Sequence, residues 1–74
     1  MSKQQYMGYG KRSNTGPTAD SPRAAARAFF DRYPTDPNAM VCAVRIITGD
    51  LVTKDLRAGA WNVKRADVDT LPAD

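Results

Sequence analysis

Seventy-four residues, with eleven Lys or Arg against eight Asp and no His, carry a net charge of +3 and allow one small domain. The single cysteine, Cys42, rules out an internal disulfide, and the missing histidine removes the commonest zinc arrangements and the usual general acid–base residue. No apolar run approaches the roughly 20 residues of a membrane span, and the first residues lack the apolar stretch of a secretory signal. The expectation is therefore a cytoplasmic protein with no membrane contact.

The charge is unevenly placed. Residues 1–19 contain Lys3, Lys11 and Arg12 and no acid, whereas the eight basic and eight acidic residues of 20–74 cancel. Residues 1–19 also mix Gly, Ser, Asn, Thr and Pro with Tyr6, Met7 and Tyr9. Gly8, Gly10, Gly16 and Pro17 oppose a long regular element, so this part reads as a basic aromatic arm or linker. Within it, Gln4–Gly8 has enough apolar character for a short edge strand. The remaining residues, 20–74, read as a single small α+β domain.

The strongest local signal is a helix from Ser21 to Tyr33. Ser21 is a good N-cap, and Pro22 suits the first helical position because its missing N–H costs nothing there. Pro34 disfavours helical geometry at Tyr33 and closes the segment. At 100° per residue, Ala25, Ala26, Phe29, Phe30 and Tyr33 share one arc, and Arg23, Arg27 and Asp31 share the other. Arg27 is spaced to pair with Asp31 at i+4.

Pro34–Asn38 is a double-proline turn. The β-branched run Met40–Ile47 follows as a strand. Arg45 breaks its odd-numbered set, so Met40, Cys42, Val44 and Ile46 are expected to face the helix. Thr48-Gly49-Asp50 suits a hairpin turn, Leu51–Leu56 a returning strand, Arg57-Ala58-Gly59 a second turn, and Ala60–Arg65 a third strand. Ala66–Leu71 suits a last helical turn capped by Asp67. The expected fold is thus one helix on a three-stranded antiparallel meander, α-β-β-β. Its expected core is Phe29, Phe30, Tyr33, Val44, Ile46, Leu51 and Val63, with Trp61 beside them.

Chemistry is sparse. Asp67 and Asp69 read as a solvated turn, and Cys42 as a small buried hydrophobe. Gly8-Tyr9-Gly10-Lys11 lacks the spacing of a phosphate loop. No catalytic residue, metal ligand or cofactor site is expected. Two surfaces carry the functional expectation. Tyr6, Met7, Tyr9, Lys11 and Arg12 are residue types that suit a binding arm, against the alternative that Tyr6 and Met7 cover the domain's own core. Arg23 and Arg27 form a second contact surface, against the alternative of a plain solvated face.

The arm Met1–Arg12, followed after the Ser13–Ala19 linker by the helix, gives a layout that resembles the small bacteriophage regulators of bacterial RNA polymerase. That resemblance implies a monomeric, non-enzymatic protein of the host cytoplasm. It would bind RNA polymerase to inhibit initiation or promote antitermination, with nucleic acid as a secondary contact. The α-β-β-β order also resembles anti-CRISPR proteins and a truncated double-stranded-RNA-binding domain, although the latter's second helix and concentrated basic patch are not evident. An anti-CRISPR inhibitor and a small nucleic-acid-binding module are the alternative readings.

Overall fold

A computed structural model describes residues 4–10, 16–47, 49 and 51–73, with the backbone alone at 56, 58 and 59. Lys11 and Arg12 lie outside the described residues. The chain forms β1 (Gln5–Tyr9), β2 (Thr18–Ala19), α1 (Pro22–Arg32), β3 (Asn38–Ile47), β4 (Leu51–Lys64) and a 3-10 segment (Arg65–Thr70). The strands make one antiparallel sheet in the order β2-β1-β3-β4, and α1 packs on one face.

The helix forms where its local chemistry places it. Ser21 Oγ accepts from the Ala24 amide at 3.2 Å, Pro22 opens the first turn, and Tyr33 ends the last one. The arc of Ala25, Ala26, Phe29 and Phe30 is buried, with Tyr33 half-buried beside it. The Phe29 ring lies 5.6 Å from that of Phe30 and 5.0 Å from that of Tyr33.

The fold is the expected small α+β one, a helix on an antiparallel sheet, and the sheet departs from the three-stranded meander in two details. Gln5–Tyr9 is an interior strand, pairing with β3 along its length and with β2 at Tyr6 and Met7. The folded domain therefore includes these residues rather than starting at residue 20. After the helix there are two long strands, not three. The expected second and third strands are the two halves of β4, which stays beside β3 throughout. Pairing runs from Asn38↔Lys64 to Cys42↔Ala60, then resumes at Ala43↔Asp55 and ends at Ile47↔Leu51. Residues 56–59 have no counterpart on β3, and the expected turn at Arg57–Gly59 is this bulge in a continuous strand.

The faces of β3 are also reversed from expectation. Ala39 and Val41 pack with Phe29, Phe30 and Val63 under the helix, whereas Cys42 and Val44 join Met7 in a second cluster on the opposite face. Arg45 misled because it lies beyond the body of the sheet, where a charged side chain reports nothing about which face is covered. Ile46 and Leu51, expected in the core, are 57% and 59% exposed. The helix-side core instead recruits Val68 and Leu71, with Tyr6 and Trp61 packed against it edge-on at 6.0 Å.

The alternation of β1 fits both clusters: Tyr6 and Gly8 face the helix, and Met7 and Tyr9 face away. Gly8 is required by close approach, since a Cβ there would stand 2.7 Å from the Ala25 carbonyl oxygen. The last turn is a 3-10 helix with no side-chain cap. Asp67 sits in its first turn rather than at the N-cap, and its carbonyl accepts from Thr70 Oγ1 at 2.6 Å.

Candidate protein-binding surface

The β3–β4 ladder is longer than the strand beside it. Gln5↔Val44 is the last pair between β1 and β3, and the Gln4 side-chain amide donates to the Val44 carbonyl at 3.1 Å just there. Beyond it, among the described residues, 45–47 and 51–53 continue as a two-stranded ribbon around Gly49, whose φ of +74° suits a tight turn.

A bare two-stranded ribbon is marginal in water, so its base must be held. Val52 packs against the Met7, Cys42 and Val44 cluster. Lys54 Nζ stands 3.7 Å from the centroid of the Tyr9 ring, a cation–π contact that ties β4 to β1 across β3. On the opposite face, Arg45 Nη2 donates to Asp55 Oδ2 at 3.2 Å, and the Arg57 backbone amide donates to Asp55 Oδ1 at 3.2 Å. Partial burial pushes the Asp55 carboxyl up, but its hydrogen bonds from Arg45 and Arg57 and their charges outweigh that and hold it below the usual carboxylate range.

The outer end of the ribbon is apolar on both faces. Ile46 and Val52 are opposite one another on the Cys42 face, and Ile47 and Leu51 on the helix side. Ile46, Ile47 and Leu51 are the large apolar residues left exposed among the described residues, at 57%, 41% and 59%. Single exposed apolar side chains are ordinary, whereas three clustered at the end of a projecting element mark an interaction site.

The residues expected to bind are placed elsewhere. Met7 is buried in the second cluster, Tyr6 packs on the helix-side core, and Tyr9 lies half-buried beneath Lys54. Burial raises the Tyr9 hydroxyl pKa, with the Cys42 charge adding to it. Met7 cannot anchor a partner without the sheet opening, because its neighbours on both strands already enclose it.

Arg23 and Arg27 are engaged within the fold. Arg23 Nε donates to the Leu71 carbonyl at 3.0 Å and Arg23 Nη2 to the Asp69 carbonyl at 2.9 Å. Arg27 pairs with Asp69, not with Asp31 as its spacing suggests. Arg65 also fastens this end, donating to the Pro34 and Asp36 carbonyls with its guanidinium 5.0 Å over the Phe30 ring. These arginines lace the C-terminal segment to α1.

Sequence reasoning placed Ile46 and Leu51 in the core and did not single out Ile47 or Arg45 as binding residues. The adjacent pair Ile46-Ile47 was the available signal: neighbours in a strand point to opposite faces, so one of them has no place in a core on one side of the sheet.

Compared with known proteins, the chain matches no family model, no curated protein and no solved structure. Among the described residues, no helix is long and apolar enough to cross a membrane.

Proposed function

We propose that this protein acts by binding another protein rather than by catalysis, with the β3–β4 ribbon as its docking element. The observation that carries this is the cluster of Ile46, Ile47 and Leu51, exposed at the end of a ribbon that projects past β1. Burying such side chains supplies about 1.5–3 kcal/mol each when burial is complete, and about 1.4 kcal/mol is tenfold in affinity. The body of the domain holds the ribbon in place, so little ordering entropy opposes binding.

The partner we propose is bacterial RNA polymerase, on the resemblance in size to small phage regulators. Binding would inhibit initiation or promote antitermination in the host cytoplasm. In this reading the ribbon takes the docking part first given to the arm, because Tyr6, Met7 and Tyr9 belong to the sheet. The test is a binding titration of the purified chain against purified bacterial RNA polymerase, run beside the double substitution Ile46→Thr, Leu51→Thr. Saturable binding by the native chain, weakened at least tenfold by the double substitution, is expected. Absence of binding at low salt defeats the polymerase reading.

A further inference from the structure

Resting on the reading of the ribbon as a docking element, we infer that its partner is an acidic, apolar protein segment, met on the helix-side face of the ribbon by Arg45 and Arg57 together with Ile47 and Leu51. Register puts Ile47, Leu51, Arg45, Thr53 and Asp55 on that same face. An apolar pair at the tip is thus followed, one rung back, by a guanidinium. Asp55 then receives both arginines, Arg45 Nη2 at 3.2 Å and Arg57 Nε at 3.6 Å.

This pairing leaves donors in excess. Each guanidinium carries about five N–H donors, and one carboxylate cannot occupy those of two arginines. Both remain largely in water, with side chains 59% and 84% exposed. Asp55 acts as a positioning residue, because it holds two long side chains in a fixed place and lowers the entropy lost when they bind. By sequence, residues 45–57 hold three cations, Arg45, Lys54 and Arg57, against Asp50 and Asp55. Lys54 is spent on Tyr9 on the other face. Among the described residues of the helix side, Arg45 and Arg57 thus share the single carboxylate of Asp55, and a partner carboxylate one or two rungs from Ile47 or Leu51 complements their spare donors.

A second copy of this chain is the wrong occupant. A two-fold contact through this face brings together two surfaces that each carry two guanidiniums and one carboxylate, and the excess of like charge opposes association. The tip alone also falls short of the roughly 800 Å² per partner that stable interfaces bury. The described clefts offer the tip no wholly apolar receptor: one of about 360 Å³ mixes Thr35, Asp36, Asn38 and Asn62 with Pro37, Ala39 and Met40, and another sets Arg27, Asp31, Arg65 and Asp69 beside Phe30 and Val68.

A displayed library of random twelve-residue peptides, selected on the folded full chain, tests this without knowledge of the natural partner. Enrichment of Leu, Ile or Phe together with Asp or Glu is expected. A selected peptide should bind at least tenfold more weakly to Arg45→Gln, Arg57→Gln and to Ile47→Thr, Leu51→Thr, with both variants checked for native circular dichroism. Its affinity should also fall as salt is raised, since exposed ion pairs are screened. Basic or uncharged peptides, no enrichment, or affinity unchanged in either variant overturns the inference. So does a dimer in sedimentation that Leu51→Thr abolishes. Peptide binding without polymerase binding removes the polymerase alone.

Discussion

Within β3, residues 40–44 lie between β1 and β4, and all but Met40 are buried, whereas the side chains of residues 45–47 are exposed. Both parts carry aliphatic side chains: Ala, Met and Val with Cys in one, two Ile beside Arg in the other. What separates them is the length of the neighbours. β1 ends its pairing at Val44, and α1 packs over the shorter part of the sheet. Burial along one strand is therefore set by what stands beside it. The same aliphatic side chain stabilises the fold at Val41 and is free to serve binding at Ile47.

Substitutions that separate these two regions sharpen the contrast. The largest effect is expected from Gly8→Val in the body. Its Cβ would lie 2.7 Å from the Ala25 carbonyl oxygen and 2.8 Å from Phe29 Cβ, and helix backbone cannot yield cheaply. Loss of the cooperative thermal transition in circular dichroism is the expected result. Phe29→Ala, which empties a fully buried site under the helix, should cost about 3–5 kcal/mol in urea unfolding. A cost under about 1 kcal/mol would mean that α1 does not cover the sheet as described.

Alkaline pH probes the second cluster. Burial is the largest cause that pushes the Cys42 thiol up from its ordinary 9.0 and the Tyr9 hydroxyl up from its ordinary 10.0. Lys54 opposes the thiol shift and Asp55 adds to it. The unfolded chain then gives up these protons first, so the stability from the two neutral groups is full below pH 9 and is lost as pH rises through their folded values. The urea midpoint should decline above pH 9, and Cys42→Ala should delay that decline toward the tyrosine's range. A midpoint flat to pH 10.5 would contradict the burial of both groups.

At the small end of the scale, Ile46→Thr with Leu51→Thr in the ribbon should change stability by no more than about 0.5 kcal/mol, as surface substitutions do. The same pair should weaken binding at least tenfold. A large loss of stability would place these residues in a core and remove the contrast.

The parts of the fold that were legible in the sequence are those settled by local chemistry. Ser21, Pro22 and Pro34 bound the helix, and the spacing of Ala25, Phe29 and Phe30 displays its buried arc, because neighbours three and four apart decide both. The sheet depended on distant partners. Gly8 and Gly10 looked like breakers of regular structure, whereas Gly8 is what lets β1 approach the helix. Arg45 looked like a marker of the solvent face along all of β3, but it marks only the ribbon. Arg57–Gly59 carried turn residues, yet β4 continues past them beside β3. The candidate site was read least well. Tyr and Arg were sought near the start of the chain for their residue type, while the exposed set is made by strand lengths that no local pattern records.

The unmatched residues 56–59 of β4 have a bearing on solubility. At fourteen residues β4 is a long strand, and it closes the sheet on the side away from β2. An unbroken edge of that length offers its spare amides and carbonyls to any other extended chain, the route by which sheets grow into fibrils. The excursion, with Arg57 on it, divides that edge into two short runs that cannot be extended as one. The protein can thus hold out an apolar tip for recognition while its long backbone edge is interrupted against uncontrolled self-assembly.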